Sequence, residues 1–159
     1  MIKGLHHNAY RCRDSEATRK FYEDFLGLPL MHAFEIQQTK TGRESKLLHS
    51  FYQMEDGSFL AFFEEPDEPF DFKQQRDFDL HIALEVEHDQ LQKMMEKGKQ
   101  AGVETRGISD HDFVHSVYFR DPNGYVIELT AKTDSHDATT FDSVSAHSAL
   151  AQWQISKGE

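Results

Sequence analysis

Two histidines and one glutamate stand at matched points of an internal repeat. His7-Asn8-Ala9 opens one half of the chain, and His81-Ile82-Ala83 opens the other 74 residues later. Each half closes with a hairpin turn and an apolar strand, Asp56-Gly57-Ser58 to Phe63 and Asn123-Gly124-Tyr125 to Leu129. Four residues on from each turn glycine lies Ala61 in the first half and Glu128 in the second. The repeat therefore yields His7, His81 and Glu128, with alanine at the fourth equivalent position. Two imidazoles and one carboxylate with open coordination positions are suited to non-haem Fe(II) chemistry. Fe(II) is the expected metal, and Mn(II), Zn(II) and Ni(II) also fit such donors. Glu128 sits amid Val126, Ile127 and Leu129, where an unpaired carboxylate is costly and calls for a cation or a hydrogen-bond cluster.

The elements that must position these residues follow from periodicity and turn signals. Leu5 to Cys12 reads as a strand, and Asp14 caps a helix from Ser15 to Leu26 with Ala17, Phe21 and Phe25 on one stripe. Strands follow at Leu28 to Ile36, Lys46 to Met54 and Ser58 to Glu64, the last two joined at Asp56-Gly57. After a linker over 65–79 the order repeats: a strand from Leu80 to Glu87, then a helix capped by Asp89 with Leu91, Met94, Met95 and Ala101 turned inward. A short strand over Val103 to Gly107 and a loop over 108–114 follow, then a hairpin of Val114 to Arg120 with Tyr125 to Ala131. A final helix is expected from Ser143 to Ile155. Each half is thus β-α-β-β-β. The predicted class is α+β: two such modules forming a cupped eight-stranded mixed sheet, with a C-terminal helical tail. Residues 1–131 form one domain, module one at 1–66 and module two at 78–131, and 132–159 are linker and helix. Halves this small do not easily bury a sufficient core alone, so they are expected to share one structure.

Strand alternation sets the faces. His81, Ala83 and Glu85 share one face, with Ile82, Leu84 and Val86 on the other. His7, Ala9 and Arg11 lie together, which sends His6 the opposite way. Tyr118 precedes Glu128 by ten residues, across the hairpin and on its face.

Composition narrows the classes. A net charge of −11 argues against nucleic acid and anionic membrane surfaces as partners. Cys12 is the only cysteine, so an internal disulfide is excluded and a reducing cytoplasm is the default. No apolar run is long enough to span a bilayer, and the opening Met1-Ile2-Lys3-Gly4-Leu5-His6 has no signal-peptide core. A cytoplasmic location is expected.

Four stretches carry a family resemblance: Gly4-Leu5-His6-His7, Phe21 to Leu28, His81 to Leu84, and Phe119 to Leu129. Over residues 1–131 the chain resembles the vicinal oxygen chelate superfamily of glyoxalase I, extradiol dioxygenases, fosfomycin-resistance thiol transferases and bleomycin-resistance proteins. It is most similar to single-domain proteins related to biphenyldiol dioxygenases. The resemblance implies a divalent metal on His7, His81 and Glu128. Glyoxalase-type isomerases carry a fourth ligand where Ala61 stands, so that branch would lack one. Ala9 stands where the transferases place a substrate-binding threonine. The expected activity is therefore ring cleavage of a catechol-like aromatic by dioxygen beside its vicinal hydroxyls. A glyoxalase-like lyase or isomerase, a fosfomycin-type thiol transferase and a non-catalytic binder of the same fold are the alternatives. The resemblance gives Tyr118 the role of hydrogen-bonding a metal-bound oxyanion. His115 and His111 are the candidates for a general base, although alternation turns His115 away from Tyr118. Tyr52, Phe59 and Phe63 are candidates for an apolar wall against the aromatic substrate. A homodimer is expected.

Overall fold

The computed structural model describes residues 1–38, 41–136 and 141–157. Two compact units divide the chain. One comprises Met1–Leu80 with Arg120–Tyr125, the other His81–Phe119 with Val126–Glu159. Each carries a four-stranded mixed sheet and packed helix, and the fold is α+β with a C-terminal helix.

The first sheet has strand order β1-β4-β3-β2, from β1 (Tyr10–Arg11), β2 (Leu30–Gln38), β3 (Glu44–Gln53) and β4 (Phe59–Glu64). β1 runs parallel to β4, and the other pairings are antiparallel. The strand expected over Leu5 to Cys12 is thus only two residues long, preceded by a single bridge from His7 to Phe59. The expected helix also divides. α1 (Ser15–Arg19) begins as predicted, with Asp14 Oδ1 accepting the Ala17 N–H at 2.7 Å. Residues Lys20–Phe25 then widen into a π-helical segment. Its geometry buries Phe21, Tyr22 and Phe25 together, where the predicted stripe left out Tyr22. Tyr22 packs on Phe62 with ring centroids 4.6 Å apart and donates to Asp121 Oδ2 at 2.9 Å. Asp121 also accepts from the Asn123 and Tyr125 N–H groups. Burial pushes its carboxyl up, and these donors oppose that shift.

The second unit repeats the order as β5-β8-β7-β6, from β5 (His81–Glu85), β6 (Thr105–Asp110), β7 (Val114–Arg120) and β8 (Val126–Lys132). β5 runs parallel to β8, as β1 runs to β4. The repeat is literal in register. His7 bridges Phe59 and His81 pairs with Val126, each partner lying two residues past its turn glycine. β6 extends through the first three residues of the segment read as a loop, 108–110, because its partner β7 supplies a ladder out to the Asp110–His115 pair.

α2 (His88–Gln100) has its N-cap at Glu87, not Asp89. Asp89 instead takes Lys93 in an i,i+4 ion pair on the first turn. Leu91 and Gly98 are its buried residues; Met94 and Met95 are half-buried and Ala101 is exposed. Gly98 lets the helix lie close to β7, since a Cβ there would fall 2.6 Å from the Phe119 ring and also meet the Thr105 hydroxyl. α3 (Ser143–Ser156) is capped by Asp142, which accepts from the Ser145 N–H at 2.7 Å, and buries none of its residues. Among the described residues no helix is long and apolar enough to cross a membrane.

Candidate metal and acid–base site

β5 and β8 lie side by side in parallel, with Ala83 opposite Glu128. The small alanine leaves lateral room beside the carboxylate. His81, two residues earlier on the same face, points Nε2 at Glu128 Oε2 across 3.4 Å. Two donors each about 2.1 Å from one divalent ion stand about 3.0 to 3.4 Å apart, so this pair has the spacing of two ligands to a shared ion. Glu128 is 7% exposed while His81 is far more open, which leaves solvent access on the imidazole side.

β7 brings the third group. Tyr118 donates to Glu128 Oε1 at 3.2 Å, so the shared face predicted from alternation is observed. His111 Nε2 lies 2.8 Å from the same phenol oxygen. The Tyr118 hydroxyl thus sits between a carboxylate and an imidazole. Burial, and then the neighbouring Glu128 charge, push its pKa up, so at neutral pH it is a proton-bearing donor. Arg106 lies over its ring, 5.0 Å from the centroid.

His115 stands elsewhere. Its Nδ1 is 3.0 Å from His88 Nε2, and its Nε2 is 3.5 Å from Asp110. Of the two histidines ahead of the last hairpin, it is His111 that reaches Tyr118.

His7 belongs to the first unit and lies on an aromatic face of the first sheet. Its ring is 5.5 Å from Phe51 and 6.3 Å from His49. Two cross-strand rows make up this face: His32, Phe51 and Ala61, then Phe34, His49 and Phe63. Phe59 and Phe63, predicted as wall residues, are on it; Phe63 stacks on His49 at 3.7 Å and Phe59 meets Phe51 edge-on at 5.9 Å. Tyr52 is on the opposite face, enclosed against Tyr22 and Phe62, and burial pushes its hydroxyl up to about 12. His32, Phe34, His49 and Phe51 were not singled out in the sequence. Their signal was present as the period-two pairs His32-x-Phe34 and His49-x-Phe51.

Neither carboxylate near the fully buried Ala61 is poised to replace a ligand. Glu64 accepts the Ser15 N–H at 2.7 Å, and Glu65 is held by Ser45, Arg43 and Arg11. Among the described residues no three His, Cys, Asp or Glu side chains form one ready-made cluster. His81 and Glu128 lie in one unit and His7 in the other.

Residues 4–129 match the model of the Glyoxalase/Bleomycin resistance protein/Dioxygenase superfamily. The chain belongs to this superfamily. Its relatives within it include the metallothiol transferase FosB of Shouchella clausii (strain KSM-K16), 27% identical over 144 residues that span 84% of this chain and 83% of that protein. The fosfomycin resistance protein FosX of Listeria monocytogenes, solved with Mn(II) and sulfate, is 25% identical with a TM-score of 0.63, over 86% of this chain and 98% of that one. A glyoxylase/bleomycin resistance protein/dioxygenase domain from Frankia sp. EAN1pec shares the fold at 17% identity, with a TM-score of 0.67 over 84% and 100% of the chains. The superfamily's two-module architecture is the one described above.

Proposed function

We propose that the chain is a metal-dependent enzyme of the fosfomycin-modifying kind. It would hold a small substrate through two oxygens and direct a thiol, or water, to an adjacent carbon. The observation that carries this reading is the Glu128 cluster: a buried carboxylate at ligand spacing from His81, with a protonated phenol on its other oxygen. Similarity to FosB over 84% of the chain, and to FosX with its Mn(II) over 86%, supports the transferase side over ring cleavage. His7, His81 and Glu128 would hold the ion. When bound, the ion supplies Lewis acidity to a substrate oxygen.

The protein's own groups then do the proton work. Fosfomycin is a phosphonate bearing an epoxide. As a thiolate forms its bond to an epoxide carbon, the C–O bond breaks and the oxygen needs a proton. Tyr118 can give that proton, and His111 at 2.8 Å can replace it on the phenol. Ala9 in place of a threonine removes one substrate contact, so the substrate is expected to differ from fosfomycin in the part that threonine would touch.

Ring cleavage of a catechol remains the second reading, supported by the phenylalanine-lined face around His7. The two separate in one experiment. Metal-free protein is loaded with Mn(II) and given fosfomycin and related epoxyphosphonates with a panel of thiols, followed by phosphorus NMR. A second portion is loaded anaerobically with Fe(II) and given catechols with dioxygen, followed by absorbance. Phosphonate conversion that is lost in Glu128→Ala supports the first reading. A yellow ring-cleavage product without phosphonate conversion overturns it.

A further inference from the structure

We propose that His6 is the residue that positions His7, accepting a hydrogen bond from His7 Nδ1–H and so aiming Nε2 outward. The inference rests on the reading of His7 as a metal ligand. Strand alternation would send the two rings to opposite faces, but regular pairing has not begun at this point of the chain. β1 starts only at Tyr10, and His7 is held by one isolated bridge to Phe59. The backbone is pinned on either side of His7, with Phe59 N–H donating to His6 O at 3.0 Å and Asn8 N–H to Phe59 O at 3.4 Å. Freed from the pleat, the two imidazoles turn together. Their Nδ1 atoms are 2.8 Å apart, with ring centroids at 5.0 Å and planes at 78°.

At that distance one nitrogen carries a proton and the other a lone pair. His7 Nδ1 is therefore engaged, and Nε2 is the atom left to coordinate. A neutral imidazole with a bare Nε2 has its proton on Nδ1, which makes His7 the donor and His6 the acceptor. Ligating histidines usually find this partner in a carboxylate or a backbone carbonyl, which fixes both tautomer and ring direction. Here the preceding residue in the chain supplies it. The His6 ring is itself backed by Phe59 at 6.0 Å. The need is real because His7 is exposed, and an exposed side chain must lose rotamer freedom before it can hold an ion. At the equivalent place in the second module, the residue before His81 is Leu80, which has no polar side-chain atom.

The test uses full-length protein at pH 8. Mn(II) binding is followed by loss of the free-ion EPR signal, and the His7 tautomer in metal-free protein by long-range proton–nitrogen correlation spectra. His6→Phe keeps a ring against Phe59 and removes the acceptor. It is expected to weaken Mn(II) binding about 10- to 100-fold and to release the His7 proton into a mixture of tautomers. His6→Asn, whose Oδ1 takes the place of Nδ1, is expected to restore both. Wild-type affinity in His6→Phe, or a His7 proton on Nε2 in the wild type, overturns the inference. His7→Ala keeps the two claims apart. If it binds Mn(II) undiminished, the ligand reading itself fails. If it loses Mn(II) while His6→Phe does not, only the role of His6 fails.

Discussion

At the scale of single residues, the proposed chemistry turns on one hydroxyl. Tyr118 touches Glu128 on one side and His111 on the other, and its proton is retained by burial and by the carboxylate charge. Tyr118→Phe removes that oxygen and keeps the ring's packing. Turnover should fall about 10- to 1000-fold, since one preorganised donor contributes up to about 4 kcal/mol in a water-excluded site. Metal content, measured by elemental analysis, should be unchanged; a loss of metal would mean that the phenol orders the ligand set itself. His49 gives a pH dependence of a different kind. Burial holds its imidazole below the ordinary histidine value, aided by the neighbouring His7 and His32. Folding thus favours the neutral ring. Its contribution is fully present above the unfolded value of about 6.5 and is lost as pH falls through the lower folded value. In metal-free protein, urea midpoints at pH 8 and pH 5 should therefore differ less in His49→Phe than in the wild type. An equal acid loss in both would place the sensitivity in other groups.

At the scale of elements, close approach decides what periodicity cannot. The stripe read from α2 named Leu91, Met94, Met95 and Ala101, yet Leu91 and Gly98 are the buried positions. A glycine carries no hydrophobic signal, so its place against Phe119 and Thr105 is invisible until the sheet is present. Gly98→Ala improves intrinsic helix propensity by up to about 1 kcal/mol. It also forces a methyl into the Phe119 ring, and overpacking costs about 1–3 kcal/mol. The expected net effect is a loss of stability, read as a lower urea midpoint; a gain would show that Phe119 swings away freely. The π-helical segment is a similar case. Its six residues fit the helical pattern of Phe21 and Phe25, while the widened turn that buries Tyr22 beside them is chosen by Phe62 and Asp121 from distant parts of the chain.

At the scale of the whole molecule, the chain's two compact units do not follow the sequence repeat. Residues Arg120–Tyr125, the tip of the second module's hairpin, belong with the first unit. Asp121 receives the Tyr22 hydroxyl, Asn123 Oδ1 receives the Arg13 N–H at 2.8 Å, and the Tyr125 hydroxyl donates to Arg11 O at 2.9 Å. A fragment ending at residue 80 would leave the Arg13 and Tyr22 donors and the Arg11 carbonyl without these partners. Each buried polar group left unmade costs about 1–3 kcal/mol. Such a fragment is expected to lack cooperative unfolding by circular dichroism, whereas the full chain should unfold in one transition. A stably folded fragment would show that the first module is self-sufficient.

The sequence by itself determined the two-module plan, the order of elements along each half and the register that makes His7 and His81 equivalent; the order of strands within each sheet came from the structure. These are local quantities: alternation, turn glycines and a repeat that needs no knowledge of packing. It also determined that Tyr118 and Glu128 share a face, because a hairpin fixes parity across its turn. Alternation already turned His115 away from Tyr118, but only the tertiary structure brought His111 to it. His111 follows directly on β6, whose pairing with β7 runs out to Asp110 and His115. It also decided that His6 meets His7 rather than opposing it, since parity holds only where a strand is laddered on a neighbour. The aromatic rows around His49 and the enclosure of Tyr52 were set in the same way. Which face of a strand meets solvent, and which meets a helix, is settled by what packs against it rather than by the strand's own residues.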